Sequence, residues 1–162
     1  MDKNDKKIDI KASYAALAKK YRLPSYEAVN QDFEIEAIEE TDFLLKNIRN
    51  RIGEKMEFCI KLLTSILQPE QNITDLHECK MFSDEQKKKI YSLYKNLMVY
   101  LRHSNMLSMV SVEKEEASYL FAFYADWSAK NGYSSQLNTI LQTLKDSWAK
   151  ETEAEDDLGY LG

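Results

Sequence analysis

The sequence predicts an all-α fold, a bundle of four to five helices with one long central helix and a short N-terminal helical corner. Only four glycines and two prolines occur in 162 residues, whereas sandwiches and barrels need turn residues about every 8–12 positions. Apolar side chains recur at helical spacing along most of the chain. The 44% apolar and 30% charged fractions are typical of a globular protein with a solvated surface.

Composition divides the chain into three parts. Residues 1–9 are mostly charged and are expected to be flexible, and residues 151–162, ETEAEDDLGYLG, form an acidic tail. We expect residues 10–150 to form one helical domain, because a chain of this size can bury roughly 70% of its extended surface around a single core. Within this domain, residues 10–33 form the helical corner, 34–68 the long helix and 83–150 the remaining helices.

The helical corner contains two short helices. Apolar positions favour a first helix up to Tyr21, and Pro24 prevents its continuation, because the residue before a proline is biased away from the α region. Ser25 is a good N-cap for a second helix, whose apolar side chains are Tyr26, Val29 and Phe33.

The long helix has the strongest pattern. Apolar residues recur every seven positions over residues 34–68, and Pro69 stops the helix. Asp42 and Arg49 interrupt the second seam of this repeat, which favours packing inside a bundle over a continuous coiled-coil dimer. The repeating positions are Ile38, Leu45, Ile52, Cys59 and Ile66.

The second half of the chain carries clear helix boundaries. Residues 69–82 form a connector with one helical turn over residues 74–80, and Ser83 with Gln86 matches a capping box that starts the next helix. Ser111 is the expected cap of the helix after that. Gly132 is expected to end this helix in the left-handed conformation.

The distribution of charge suggests a partner-binding surface. The net charge is −5, and no Lys or Arg lies between Leu23 and Leu45. We interpret the acids in this region as a surface for a basic protein partner, for example in a nucleoprotein assembly. We predict no enzyme and no cofactor, since no nucleophile motif, phosphate loop or nucleotide fingerprint is present. The predicted partner-binding residues are Glu27, Asp32, Glu34, Glu36, Glu39, Glu40 and Asp42.

A DNA-binding helix-turn-helix is an alternative interpretation of residues 17–33, LAKKYRLPSYEAVNQDF. Lys19, Lys20 and Arg22 could hold phosphates there, and the second helix would read base edges. The surplus of acids around that helix opposes the approach of a phosphate backbone, so the sequence disfavours direct nucleic-acid binding.

A metal-binding bundle is the other alternative. Glu36 and Glu40 would lie one helical turn apart and could chelate a hard cation. The chain has no Glu-x-x-His motif of the di-iron bundles, and its cysteines and histidines lack zinc-finger spacing. No metal ligand is therefore assigned, and metal binding by His77 with Cys79 is left open. The cysteines and histidines of the chain are Cys59, His77, Cys79 and His103.

The aromatic residues of the helix around residues 117–127 suggest a contact between copies. The run YLFAFY at residues 119–124 is apolar around most of a helix, so it needs burial on all sides, in the core or at an interface. We therefore expect a homodimer in which the oligomer face contains Tyr119, Phe123 and Trp127.

The sequence predicts a cytoplasmic protein without a membrane partner. No apolar run approaches the 18 residues that a membrane span requires, and the amino terminus, MDKNDKKIDIK, lacks the hydrophobic core of a signal peptide.

One segment resembles a known family. Lys20-Tyr21, Leu23-Pro24-Ser25-Tyr26-Glu27 and Asp32-Phe33-Glu34-Ile35 form a KY-x-LPSYE…DFEI pattern. This pattern is similar to a small helical family of uncharacterised archaeal proteins. The resemblance covers about 20 residues closely and implies a cytoplasmic helical protein, with no catalytic residue to assign.

Overall fold

The computed structural model describes residues 9–150, and the regular structure in that range is entirely helical. Residues 1–8 of the predicted flexible N-terminus and the whole acidic tail (residues 151–162) lie outside the described residues. The helices are α1 (Ile10–Tyr21), α2 (Tyr26–Phe33), a 3₁₀ helix (Ile35–Ala37), α3 (Leu44–Leu67), α4 (Ile73–Cys79), α5 (Asp84–Met109), α6 (Glu113–Ser128) and α7 (Tyr133–Ala149).

The all-α class is confirmed, but the number of helices is larger than predicted. Seven α-helices lie within residues 9–150, because the corner contributes two of them and the connector folds into α4. Helix α3 is the centre of the arrangement and packs against α2, α4, α5 and α6. Near its start it meets the end of α5, so α3 and α5 run in opposite directions.

The long helix begins ten residues later than predicted. Residues 34–43 contain the left-handed Glu34, the 3₁₀ helix and an irregular stretch, and α3 starts at Leu44. A local competitor accounts for the break: the Asn30 side chain accepts a hydrogen bond from the backbone N–H of Glu36 at 2.8 Å. Closely spaced carboxylates also destabilise a helix over this stretch.

The core collects the apolar faces of these helices. Leu45, Ile52, Cys59 and Ile66 are buried as their repeat predicts, whereas Ile38 lies outside α3 and is half-buried. Phe33 packs against Phe123 and Trp127 with ring centroids 5.8 and 5.4 Å away, which anchors the corner on α6. Burial raises the pKa of the Cys59 thiol, because the thiolate would be desolvated there.

Two helix boundaries are formed as predicted and two are not. The Ser25 cap is present, and Ser83 and Gln86 form both bonds of the capping box, at 3.2 and 2.8 Å. Helix α6 instead begins after Val112, which makes no side-chain cap, and Gly132 has φ −79°, which is not left-handed. Gly132 is required by close packing: a Cβ there would lie 2.4 Å from the Asp126 carbonyl oxygen.

Candidate functional site

The corner, which carries two of the seven predicted acids, is held together by contacts between α1 and α2. The Tyr14 hydroxyl donates to the Pro24 carbonyl at 2.7 Å, and the rings of Tyr14 and Tyr26 pack edge to face. On the surface, Lys11 and Glu27 form an ion pair at 2.9 Å. The hydrogen bond from Lys11 lowers the pKa of the Glu27 carboxyl. Glu27 therefore already has a cationic partner within the chain.

Asp32 is also used inside the fold. Trp127 Nε1 donates to Asp32 Oδ2 at 3.2 Å, and Lys55 Nζ donates to the Asp32 backbone carbonyl. The same ammonium lies 5.2 Å from the ring centroid of Phe33 and 5.5 Å from that of Trp127. These contacts tie α2 to α3 and α6. Asp32 therefore already has partners within the fold.

The other five predicted partner-binding residues lie between α2 and α3, in a stretch that we call the acidic segment (residues 34–42). All five side chains are exposed. Within residues 9–150, none of them lies within 4.0 Å of a Lys, Arg or His nitrogen. The structure therefore separates the seven acids into two with internal contacts and five without an ion pair. The five are Glu34, Glu36, Glu39, Glu40 and Asp42.

The acidic segment does not have the helical geometry that a chelating pair needs. Glu36 lies in the 3₁₀ helix, which ends at Ala37, and Glu40 lies in the irregular stretch after it. The two residues are not one α-helical turn apart, because α3 begins only at Leu44. The predicted helical spacing of Glu36 and Glu40 is therefore wrong, and chelation of a cation by this pair stays a prediction.

Phe43 follows the acidic segment and is 77% exposed. Its backbone is left-handed, with φ 55° and ψ 38°. This conformation costs roughly 1–2 kcal/mol for a residue with a side chain. The first turn of α3 holds it, since the Phe43 carbonyl accepts from the Asn47 backbone N–H at 3.0 Å and the Asp42 carbonyl accepts from Asn47 Nδ2 at 3.2 Å. Sequence reasoning missed this residue, because the predicted helix 34–68 included it.

A shallow depression of about 300 Å³ lies beside the acidic segment. Its charged lining has three carboxylates and one guanidinium, whose Nη1 is 3.7 Å from the Glu54 carboxylate. The surplus of carboxylates makes the depression suited to a cationic side chain of a partner. The lining residues are Ile38, Glu39, Glu40, Asn47, Asn50, Arg51 and Glu54.

The predicted oligomer face is inside the protein. Tyr119, Phe123 and Trp127 are 1%, 0% and 3% exposed. Their side chains fill the space between α6, α5 and the corner, with Tyr119 against Tyr100 and Phe123 against Phe33. These three residues have no surface to give to a second copy. The aromatic run is apolar around its helix mainly because α6 packs against several neighbours.

Two of the four cations of the corner are exposed and make no ion pair in the described range. Lys19 and Arg22 are exposed near the turn between α1 and α2. Lys20 lies 2.9 Å from the Glu113 carboxylate, and this hydrogen bond raises the pKa of the Lys20 ammonium. Val29 and Phe33, on the helix that would read DNA, are buried in the core. DNA binding by the corner stays a prediction.

The cysteines and histidines do not assemble into a site. Cys59 is buried in the core on α3, and His103 lies on α5 with its ring 5.3 Å from that of Tyr119. His77 packs on Trp148 with Nε2 3.2 Å from Ser147 Oγ, and Cys79 Sγ donates to the Leu76 carbonyl. Among residues 9–150, no group of three or more His, Cys, Asp or Glu side chains could hold a metal ion.

A buried ion pair was missed by the sequence reasoning. Arg49 Nε lies 2.6 Å from Glu116 Oε2, and both side chains are 1% exposed. Arg49 Nη1 also donates to the carbonyl and hydroxyl of Ser104 and to Ser108 Oγ, at 2.8–3.0 Å. Ser111 donates to the second oxygen of Glu116 at 3.2 Å. These buried polar groups therefore hydrogen-bond to one another, and the network joins α3, α5 and α6. Such an arrangement is typical of a structural ion pair.

The fold and these surfaces define an all-helical protein with an exposed acidic segment. Comparison of the chain with models of known protein families, with curated proteins and with solved structures finds no match in any of the three. The resemblance to an archaeal family therefore stays a prediction. Over residues 9–150, no helix combines the length and apolar character that crossing a bilayer demands.

Proposed function

We propose that this protein is a non-enzymatic helical interaction module that presents its acidic segment to a basic surface of a partner protein. One observation supports this proposal above the others. Five exposed carboxylates without an ion pair in the described range lie on one short segment, and that segment ends at the exposed Phe43.

The physical argument combines charge with an apolar anchor. Neighbouring carboxylates repel one another, and a cationic surface that approaches them relieves this repulsion and accelerates encounter. A desolvated aromatic side chain at the centre of such a contact can supply a large part of the binding energy. The left-handed backbone of Phe43 costs folding energy while exposing the ring, and such strain is typical of binding sites.

The chemistry of the partner follows from the same charges. The net charge of −5 opposes contact with phosphate backbones, but proteins that bind nucleic acids carry basic surfaces. We therefore expect the partner to be a basic protein of a cytoplasmic nucleoprotein assembly, with the contact made to protein rather than to nucleic acid.

The test compares two charge-reversed variants in affinity capture from nuclease-treated native extract. Glu36→Lys with Glu40→Lys changes the acidic segment, and Glu57→Lys with Glu70→Lys makes the same change in charge at exposed positions elsewhere. We expect the wild type and the second variant to retain one basic protein at about 50 mM salt. Both should lose it near 300 mM salt, and the first variant should lose it at either salt. Equal retention by the two variants, or retention indifferent to salt, would refute the proposal.

A helix-turn-helix regulator is the second candidate, favoured by the exposure of Lys19 and Arg22 beside the turn of the corner. A gel shift with random duplex at low salt tests it. The hypothesis requires binding that is lost when Lys19, Lys20 and Arg22 are all changed to alanine. Absence of any shift, or a shift that survives the triple variant, excludes it.

A further inference from the structure

Helix α5 carries an exposed stripe that the core does not use. Successive members are three or four positions apart, so they lie on one side of the helix. The buried residues of α5, such as Leu93, Leu97 and Ser104, lie on the opposite side. The stripe is about 32 Å long at 1.5 Å per residue. We call it the basic stripe, and its members are Lys88, Tyr91, Lys95, Val99, Arg102, Met106 and Met109.

The apolar members of the basic stripe are unusually exposed. Tyr91 is 52% exposed, Val99 68%, Met106 71% and Met109 84%. Single exposed apolar side chains are ordinary, but several of them along one side of a helix are typical of an interaction surface. Two methionines in the row also favour binding, because their flexible thioethers adapt to a partner surface.

The cationic members occur at intervals of seven residues, and no acidic residue occurs from residue 86 to residue 112. Within the described range, Lys88, Lys95 and Arg102 make no ion pair with a carboxylate. The Lys95 ammonium lies 5.1 Å from the ring centroid of Tyr91, and Arg102 Nη1 donates to Asn105 Oδ1 at 3.1 Å. These contacts orient the cations along the helix without neutralising them.

We infer that the basic stripe is the docking site for an acidic amphipathic helix of a partner protein. The alternation of cations and apolar residues matches a helix of about 20 residues that carries carboxylates beside its apolar positions. The overall negative charge of the protein repels an acidic partner, so binding must come from this local surface. The stripe is separate from the acidic segment, and the inference does not depend on the proposed function.

The placement of the cations favours a protein helix over a membrane. A helix that lies in a membrane has a wide apolar face with cations at its edges. Here the cations lie within the row of apolar residues, so insertion into lipid would bury their charge. An acidic helix can instead pair with the cations and cover the apolar residues together.

The test uses a fluorescein-labelled synthetic peptide of 21 residues, with Leu at the a and d positions of three heptads and Glu at the e and g positions. Fluorescence anisotropy measures its binding to the full chain at about 50 mM salt. A peptide with Lys in place of Glu is the matched control. We expect the acidic peptide to bind at least tenfold more tightly than the basic one.

Variants locate the binding site on the protein. Lys95→Glu with Arg102→Glu, and separately Met106→Glu, should each weaken binding at least tenfold. Lys145→Glu with Lys150→Glu has the same charge change as the double variant at exposed positions in and after α7, and we expect less than a threefold effect. Because all changed side chains are exposed, an unchanged circular dichroism spectrum and Tm should verify folding.

Three results would overturn the inference. The first is no binding of the acidic peptide, or binding that the stripe variants leave unchanged. The second is a dimer, measured by light scattering, that Met106→Glu dissociates, because a second copy would then occupy the stripe. The third is binding to phosphatidylserine vesicles that Met106→Glu abolishes while peptide binding persists in the same variant.

Discussion

Replacement of Glu116 by alanine should remove a large part of the stability of this protein. The guanidinium of Arg49 would keep its bonds to Ser104 and Ser108, but it would lose both contacts to the carboxylate, at 2.6 and 3.2 Å. Both side chains are 1% exposed, so the guanidinium left without its partner is shielded from bulk solvent. Removing one member of such a buried pair costs about 3–5 kcal/mol, against a total of roughly 5–15 kcal/mol for a typical domain.

The assay is urea unfolding, monitored by circular dichroism and by tryptophan fluorescence, with a thermal melt beside it. For a chain of this size, a loss of 3–5 kcal/mol lowers Tm by roughly 6–20 °C. The double variant Arg49→Met with Glu116→Leu should be much less destabilised than Glu116→Ala, because it removes both charges and refills the volume.

Glu113 provides the matched control within the same helix. It lies one turn before Glu116 and forms an exposed ion pair with Lys20 at 2.9 Å. Both acids are in the first turn of α6, so their interaction with the helix dipole is similar. Glu113→Ala should cause a much smaller loss, because exposed pairs contribute little. Equal losses for Glu113→Ala and Glu116→Ala would refute the reasoning about burial.

Three further predictions follow from named contacts. Phe43→Gly should raise the free energy of unfolding by up to about 1 kcal/mol, because glycine tolerates the left-handed backbone. The same substitution should weaken capture of the partner, since it removes the exposed ring. A lower stability of the variant in urea would contradict the first expectation. Burial raises the pKa of the Tyr14 and Tyr119 hydroxyls above their ordinary value of 10.0. Above about pH 10 the unfolded chain therefore loses these protons before the folded one does, and stability should fall by up to ~1.4 kcal/mol per pH unit for each tyrosine. Urea midpoints from pH 9 to 11 check this, and Tyr119→Phe must reduce the slope. Asp32→Ala should lower the free energy of unfolding in urea by about 1–2 kcal/mol, because Trp127 Nε1 loses its acceptor; unchanged stability would contradict this structural role of Asp32.

The boundaries that sequence analysis predicted correctly depend on neighbouring residues. Ser25 and Ser83 bond to backbone groups three positions away, so their capping patterns are visible in a short window. The residues of α3 follow a helical period because one face of that helix meets the core over its whole length. Such local and periodic signals are sufficient to predict the all-α fold class.

The features that the sequence did not reveal depend on contacts between distant residues or on competing bonds. Arg49 and Glu116 are 67 positions apart, so only the packing of α3 against α6 joins them. The start of α3 was misplaced because periodicity does not register the bond from Glu36 N–H to the Asn30 side chain. Phe43 was overlooked for the same reason, since the predicted helix included it, and its left-handed backbone has no signal in the sequence.

The buried Cys59 gives the chain an internal chemical reporter. The thiolate is the nucleophile that attacks a thiol reagent, and burial both shields the Cys59 sulfur and disfavours its ionisation. The thiol of Cys79 is more accessible, since its residue is only half-buried on α4. Modification should therefore proceed in two phases, a fast one at Cys79 and a slow one at Cys59. The rate of the slow phase reports on the opening of the core around α3 under native conditions.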